Sequence, residues 1–328
     1  MTAHIFPTLP KRATYALSLL ASSICVVVGA TLAFLVFPYD LSFLTRIVIM
    51  MIFVVSFDLI LGQAGIATLG HAAMYGCGAY AAGLIALHLS PDPLLGIVAG
   101  GAAGALMAWI SGLVLLRTHG ISLLMISIAV TMVLQEIASQ ARWLTGGADG
   151  LAGISVQPLL GLFEFDFVGQ VAFIYSVCVL VVVLLLCQVL INSPFGLALR
   201  GIDGSASRMR AIGTPVYRRK VTIYVLAGAI AGTAGALAAQ VTGLVGIEVF
   251  NFSLSAEVMV MLILGGAGRL YGALIGTLLF MVVHHLAASV DPFNWLFVIG
   301  IMLILVVFVL PKGLISLPAR VSQLLRRT

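Results

Sequence analysis

Charged residues are scarce in this sequence. They make up 8% of its 328 residues, whereas hydrophobic residues make up 62%. A water-soluble globular chain carries about 25% charged residues, and a chain of this length would need them to cover one or two soluble domains. The surface must therefore face something other than water, and we interpret the chain as an all-α membrane protein surrounded by lipid.

Lysine is rarer still, and its positions exclude one common chemistry. The three lysines, Lys11, Lys220 and Lys312, lie outside any GxxxxGK[ST] phosphate-binding loop. The chain therefore cannot bind ATP by that route. It also contains no nucleophile elbow, no HExxH motif and no paired carboxylates. We expect no catalytic residue, no cofactor and no enzymatic activity in this chain.

Cysteines are few, and all four lie inside apolar runs. They form no CxxC pair and have no histidine at metal-ligand spacing. We interpret them as buried, inert thiols and expect neither disulfides nor a metal site. They are Cys25, Cys77, Cys178 and Cys187.

Long apolar runs are what the sequence has in abundance. A helix needs about 20 apolar residues to cross a bilayer, and we predict ten spans within one transmembrane domain over residues 1–328. The eighth is short and ends in glycine, which indicates a tilted or broken helix. Glycines repeat every four residues in several spans, a pattern typical of closely packed helices. The spans are Ala13–Phe37, Leu41–Leu61, Ile66–Leu89, Leu94–Leu116, Ile121–Ala138, Val168–Ile191, Val221–Gly243, Phe252–Gly265, Tyr271–Val290 and Asn294–Leu310.

The basic residues predict how these spans are oriented. With the N-terminus in the cytoplasm, 14 of the 16 basic residues fall on the cytoplasmic side, as the positive-inside rule requires. Both termini (residues 1–12 and 311–328) and the loop 192–220 are then cytoplasmic, whereas the loop 139–167 is external. The basic residues are few and lie between apolar runs, so we assign the net charge of +5 to topology and expect no nucleic-acid partner.

The cytoplasmic loop contains a predicted amphipathic helix. Ser193 before Pro194 is typical of a helix start, and Gly213 marks its end. Arginines, among them Arg200 and Arg208, lie off the apolar stripe. Such a helix either lies on anionic lipid headgroups or docks into a cleft on a partner, and periodicity does not separate these alternatives. The stripe consists of Leu199, Ile202, Ala206 and Met209.

Glycine is dense between Gly62 and Gly83, with six glycines in 22 residues. Each costs a helix about 1 kcal/mol relative to alanine, so we predict a broken or closely packed helix. Unwound backbone at membrane depth is tolerated only inside the protein or along a cavity. Gln63, Thr68 and His71 are therefore candidates for lining a path, the alternative being a histidine satisfied within a helix interface.

A second break is predicted within Leu254–Gly276. An apolar half-helix ends in Gly265, Gly266 and Gly268, and another begins after Arg269; broken helices often border transport sites. Two acids, Asp58 and Glu257, lie inside predicted spans, where charge is costly and often functional.

The external loop carries the glycine-rich segment Thr145–Ile154. Its glycines, with Asp149, indicate a defined turn. The turn is either an ordinary surface loop or a contact for an external binding protein.

Several of these segments, in order along most of the chain, resemble the LivM-type permease of branched-chain amino-acid ABC importers. The matching motifs are LGHAAMYGCGAY (Leu69–Tyr80), TGGADGL (Thr145–Leu151), SPFGLALRGI and AIGTPVYRRK within Ser193–Lys220, LILGGAGRLYGALIG (Leu262–Gly276) and LPKGLI (Leu310–Ile315).

The resemblance implies a ten-helix importer permease fold with internal pseudo-symmetry in the bacterial inner membrane. It also implies a second, LivH-type permease, two cytoplasmic ATPase subunits and a periplasmic substrate-binding protein as partners. ATPase coupling then falls to Ser193, Pro194, Leu199, Arg200, Ile202, Asp203, Arg208, Met209 and Gly213. The translocation path falls to Gly62, Gln63, Thr68, Gly70, His71, Gly265, Gly266 and Gly268, and binding-protein contact to Gly146, Gly147 and Asp149.

The expected function is alternating access driven by partner ATPases. Relatives of this type are associated with branched-chain amino acids, urea, amides and small aromatic acids, and the sequence does not choose among them. The alternative is an ATP-independent secondary transporter or channel, for which Asp58 and Glu257 are the only candidate ion-coupling residues. A purely structural membrane anchor is a third reading.

Overall fold

The computed structural model describes residues 26–36, 39–158 and 169–290 and the single residues 297, 300, 301 and 304. Within these ranges the chain is almost entirely helical, because in lipid every backbone N–H and C=O must be paired inside the segment. The helices are α1 (Val26–Val36), α2 (Leu41–Ala64), α3 (Ala72–His88), α4 (Pro93–Leu115), α5 (Ile121–Gln140), α6 (Arg142–Thr145), α7 (Gln170–Asn192), α8 (Pro194–Gly204), α9 (Ala206–Ala211), α10 (Val216–Thr242), α11 (Phe252–Gly265) and α12 (Leu270–Val290).

Six of these helices, α2, α4, α5, α7, α10 and α12, are long and apolar enough to cross a membrane. They match the second, fourth, fifth, sixth, seventh and ninth predicted spans. The eighth is the short helix α11, as predicted. The third was predicted to begin at Ile66, which is wrong: α3 begins at Ala72 because the preceding residues leave the helical conformation. Residues 13–25 of the first span and most of the tenth lie outside the described residues.

Helix α2 forms the centre of the bundle. Its middle turns, including Ile52 and Phe57, are completely buried, and it packs against α7, α10, α11 and α12. A helix that is apolar all round is buried either in a protein core or in lipid, and here neighbouring helices cover its middle turns. These four helices are therefore positioned relative to α2.

Helices α3, α4 and α10 pack so closely that only glycine fits between them. A Cβ atom on Gly78 would overlap the backbone of Gly232, and one on Gly232 would overlap the carbonyl oxygen of Gly100. Gly104 and Gly228 approach each other in the same way. The predicted packing role of the repeated glycines is thus confirmed, and it replaces the hydrophobic force that lipid does not provide.

The two long loops lie at opposite ends of the bundle. The loop 192–220 leads into the start of α10, whereas the loop 139–167 contacts the strand that follows the end of α10. At one end, β1 (Leu151–Ala152) pairs antiparallel with β2 (Leu244–Val245), a contact that the sequence did not indicate. 3₁₀-helices at Gly147–Asp149 and Ile247–Phe250 flank these strands. At the other end, α8 and α9 lie beside the end of α2.

We expect Gly232→Ala to destabilise the bundle by about 1–3 kcal/mol, the usual cost of forcing extra volume into a packed core. The added methyl would press against the Gly100 carbonyl and push α4 from α10. The measurement is the unfolding midpoint of the purified protein in detergent. Gly29→Ala in α1 is the matched control, because its methyl would meet open space. Equal midpoints for the two variants would contradict this packing.

Candidate functional site

The chain between α2 and α3 is unwound and buried. Gly65 ends α2 in the left-handed conformation (φ 64°), and the following residues return into the bundle without forming a helix. Side chains of neighbouring helices pair their free N–H groups. Leu69 N–H donates to Ser127 Oγ of α5 (3.0 Å) and Ala72 N–H to Ser255 Oγ of α11 (2.9 Å). This is the predicted break, placed where protein surrounds it.

His71 closes this break against α2. Ser56 Oγ donates to the carbonyl of Phe53 (2.6 Å) and lies 2.7 Å from His71 Nε2. The two side chains are therefore hydrogen-bonded to each other, and the tautomer of His71 decides which of them donates. The imidazole also stacks on Phe53, with centroids 5.3 Å apart. His71 and Thr68 are fully buried, so in this conformation His71 occupies a helix interface.

A second break joins α11 to α12. Gly266 and Gly268 have backbone φ values of 107° and 83°, which residues that carry a Cβ atom rarely adopt. Gly265 lies directly against the carbonyl oxygen of Gly272 in α12. The three glycines predicted at this break therefore have two effects. They let the backbone reverse its direction, and they let it approach α12 closely.

Two side chains of α2 form hydrogen bonds to one residue of the second break, Gly268. Asp58 Oδ1 accepts the N–H of Gly268 (2.7 Å), and Gln63 Nε2 donates to the carbonyl of Gly268 (3.0 Å). A Cβ on Gly62 would overlap both the Asp58 carboxylate and Gly268. We call Asp58, Gly62, Gln63 and Gly268 the Gly268 junction. It brings together three predicted path residues and assigns a structural partner to Asp58.

The two breaks share a short sequence repeat that our sequence reasoning missed. Helix α2 ends within LGQAG (Leu61–Gly65), and LGGAG (Leu264–Gly268) contains the end of α11 and the three residues that follow it. Each repeat closes on a glycine with positive φ, Gly65 or Gly268. Comparing the chain with itself would have found this signal and marked both positions as helix ends.

The loop 192–220 begins as predicted. Ser193 caps α8 by accepting the N–H of Gly196 (3.3 Å), with Pro194 in the first turn. Leu199 and Ile202 are buried against the bundle. Arg200 donates to the carbonyl of Ile191 at the end of α7 (2.8 Å) and so ties α8 to the preceding span.

The loop does not contain one continuous helix, so our prediction of a single helix from Ser193 to Gly213 is wrong. Ser205 is extended (φ −168°, ψ 102°) and separates α8 from α9. The cause is local, because Gly204 weakens the helix and Ser205 caps a new one through the N–H of Arg208. Met209 packs back on Gly201. Gly213 ends the loop's helical part with φ 85°.

Asp203 connects this loop to α2. Its carboxylate lies directly over Gly65, where a Cβ would overlap the carboxylate oxygen. The C-cap of α2, Gly65, therefore contacts α8, while its last two turns form the Gly268 junction. One rigid helix touches both the exposed loop and the second break.

The glycine-rich segment Thr145–Ile154 forms the predicted turn. Gly146, Gly147 and Gly150 all have positive φ. Thr145 Oγ1 donates to the carbonyl of Ala138 (2.5 Å), which ties the turn to α5. Asp149 is exposed at its surface.

Long apolar helices around two buried breaks define a multi-pass membrane protein with the features of a transport subunit. A family model described as "Branched-chain amino acid transport system / permease component" matches residues 40–307. Since this match spans most of the chain, the chain belongs to that family, and the resemblance to LivM-type permeases is confirmed.

Individual relatives are also described as permease proteins of transport systems. The chain is 26% identical over 318 residues to the high-affinity branched-chain amino acid transport system permease protein LivM of Salmonella typhimurium, covering 89% of this chain and 73% of the relative. It is 27% identical to the protein of that name from Escherichia coli K12, covering 85% and 70%. The L-arabinose ABC transporter permease protein AraH of Azospirillum brasilense is 28% identical, covering 66% and 63%. No solved structure matches the chain.

We expect Asp58→Ala to destabilise the protein by about 1–3 kcal/mol, because the buried N–H of Gly268 would lose its acceptor. Asp58→Asn keeps an oxygen at that position and should cost less. Unfolding midpoints of the two purified variants in detergent measure the difference. Equal losses for both variants would show that the negative charge matters, and not the hydrogen bond.

Proposed function

We propose that this chain is the LivM-type membrane-spanning subunit of an ABC importer, which moves branched-chain amino acids across the bacterial inner membrane. The observation that carries the proposal is the contact chain from the exposed loop through α2 to the Gly268 junction. Such a chain gives a force applied at the loop a direct route to the backbone breaks. ATP hydrolysis is assigned to two cytoplasmic partner subunits.

The orientation of α8 favours ATPase docking over the headgroup alternative. A helix lying on a membrane turns its apolar side toward lipid. In α8 the apolar residues Leu199 and Ile202 instead face the bundle, and the exposed side of α8 and α9 presents Arg208 and Arg210. An outward basic surface joined to a buried anchor suits a partner protein.

We assign two different roles to the predicted coupling residues. Arg200 is occupied by the carbonyl of Ile191 and, like Ser193, Leu199 and Ile202, anchors the loop. Arg208 is exposed and is proposed to contact the ATPase. Asp203 passes movement of α8 to Gly65 and thus to α2.

Alternating access would follow from movement of α2 as a lever. A displacement of its last turn would change the hydrogen bonds from Asp58 and Gln63 to Gly268. The angle between α11 and α12 would change as a result. Thr68, Gly70 and His71 are buried here and would border the path only in another conformation. The shared LGxAG ends support the proposed internal pseudo-symmetry, and ten spans remain the proposed total.

On the external side, the turn containing Gly146, Gly147 and Asp149 is the proposed contact for a periplasmic binding protein. Its left-handed glycines and its bond to α5 make it a firm surface. A LivH-type permease would complete the translocation path. Cytoplasmic N- and C-termini belong to the same proposed topology.

Branched-chain amino acids are favoured over arabinose because the LivM relatives match more of this chain than the AraH relative does. The alternative of an ATP-independent transporter keeps only a weak ion-coupling candidate in Asp58, whose Oδ1 accepts the backbone N–H of Gly268. Uptake that persists with a hydrolysis-deficient partner ATPase would favour that alternative.

We expect Arg208→Glu to reduce co-purification of the ATPase subunits and ATP-dependent uptake at least severalfold, because it reverses a charge on the docking surface. The unfolding midpoint of the permease should not change, since Arg208 is exposed. Arg142→Glu, exposed in α6 at the other end of the bundle, is the control. Full ATPase binding by Arg208→Glu would remove this surface from the proposal.

The topology has its own test in a cysteine-free background. Ser155→Cys should react with a membrane-impermeant maleimide in spheroplasts, and Ser207→Cys only after permeabilisation. Both serines are exposed, so access depends on the side of the membrane alone. The reverse pattern would show that the chain is inserted the other way.

A further inference from the structure

Two exposed arginines lie at the end of the bundle that carries α8 and α9. Arg117 follows the end of α4, and Arg218 is in the first turn of α10. A direct contact joins their neighbours, because the hydroxyl of Tyr217 donates to the carbonyl of Leu113 (2.9 Å). The N–H of Arg117 donates in turn to the carbonyl of Val114 (3.3 Å). The two arginines therefore flank one joint between α4 and α10. We call Arg117, Tyr217 and Arg218 the basic corner.

An apolar surface leads from the basic corner toward the middle of the bundle. On α4, Trp109 and Val114 are more than half exposed. On α10, helical periodicity places Arg218 on one face with residues 222, 229 and 233. The hydroxyls of the two threonines on this face donate to carbonyls of their own helix, so they do not make the face polar. Charge is thus confined to the end of this surface.

The same face of α10 leads into an apolar cavity between α4, α7 and α10. Its volume of about 510 Å³ falls within the range of small-ligand pockets, about 300–1,000 Å³. Ala229 and Thr233 of α10 line it together with Val182 and Leu186 of α7. A Cβ on Gly101 of α4 would lie 3.0 Å from the Thr233 methyl, so α4 and α10 are in contact at this level.

The distance from the basic corner to the cavity matches one membrane leaflet. Arg218 and Ala229 are 11 positions apart in α10, which is about 16 Å along an α-helix. Half of the hydrocarbon core of a bilayer is about 15 Å thick. Tyrosine is enriched where hydrocarbon meets water, and Tyr217 is partly exposed there. An acyl chain that starts at the basic corner would therefore end at the cavity.

We propose that the basic corner binds the phosphate of an anionic phospholipid, and that one acyl chain follows α10 into the cavity between α4, α7 and α10. A guanidinium matches a phosphate with two parallel hydrogen bonds, and basic pockets between membrane helices suit anionic headgroups. The inference goes beyond the proposed function, because it requires only that the chain spans a membrane.

A lipid suits this site better than a soluble anion or a partner protein. A soluble anion would use only the arginines and leave the apolar cavity and the surface above it in contact with other groups. A partner docked on α8 and α9 would contact Arg208, which lies on a different element. Only an amphiphile with a negative head uses both the charges and the apolar groove on one face.

The test measures the unfolding midpoint of the purified full-length permease in detergent during lipid titrations. A ligand that binds only the folded state raises the midpoint. Dioleoyl phosphatidylglycerol should raise it at lower concentrations than dioleoyl phosphatidylcholine, which has the same acyl chains and no net charge. In Arg117→Gln/Arg218→Gln, the phosphatidylglycerol concentration that gives half of the shift should increase about tenfold or more, because charged hydrogen bonds are lost.

Two further double variants are the controls. Arg142→Gln/Arg269→Gln removes the same charge from exposed positions outside the basic corner and should respond to phosphatidylglycerol like the wild type. Arg117→Lys/Arg218→Lys keeps the charge and should retain most of the response, which shows that substitution alone does not unfold the site. A separate variant, Ala229→Leu, fills part of the cavity and should weaken the response to dioleoyl phosphatidylglycerol.

Each contrary outcome overturns the proposal in its own way. Equal responses to the two lipids, or an unchanged half-point in Arg117→Gln/Arg218→Gln, would refute the site. An equal midpoint shift from inorganic phosphate would show a free-anion site in which the cavity has no part. A weakened response in Arg142→Gln/Arg269→Gln would show an effect of net charge alone. Loss of ATPase co-purification with an unchanged lipid response would assign the basic corner to that partner. Transport is not measured, so the proposed function is tested separately.

Discussion

The pairing of backbone polar groups where helices break inside the membrane is the constraint on which this structure depends. An unwound segment has N–H and C=O groups that neither its own helix nor water can satisfy. Here Ser127 and Ser255 pair the first break, and Asp58 with Gln63 pairs the second. Because each partner belongs to another helix, the breaks also join α2, α5 and α11 into one unit.

Close packing of glycines is the second condition for this arrangement. The approach of α10 to α3 and α4 leaves no room for a Cβ at Gly78 or Gly232. Gly62 has the same property at the Gly268 junction, where it lets the two backbones come near enough for Asp58 to reach. Small residues in this chain therefore hold helices together instead of making them flexible.

The position of α2 relates these interactions to transport. The helix is buried along most of its length and contacts the loop 192–220 through Gly65 and Asp203. The loop is anchored by Arg200 on α7 and by buried Leu199. Under the proposed function, this rigid central helix would transmit the movement of a partner from the loop to the second break. The family to which the chain belongs is one of transport permeases.

Sequence alone determined the membrane class, most of the long helices, the start of α8 at Ser193 and the family. These properties depend on apolar length, local capping and motifs, all of which are read from neighbouring residues. Tertiary structure decided the partner of Asp58, which is 210 positions away, the burial of His71 and the pairing of β1 with β2. It also decided that Arg200 anchors the loop while Arg208 remains exposed. No local pattern encodes these outcomes, because hydrogen-bond partners on different helices are selected by packing and not by spacing along the chain.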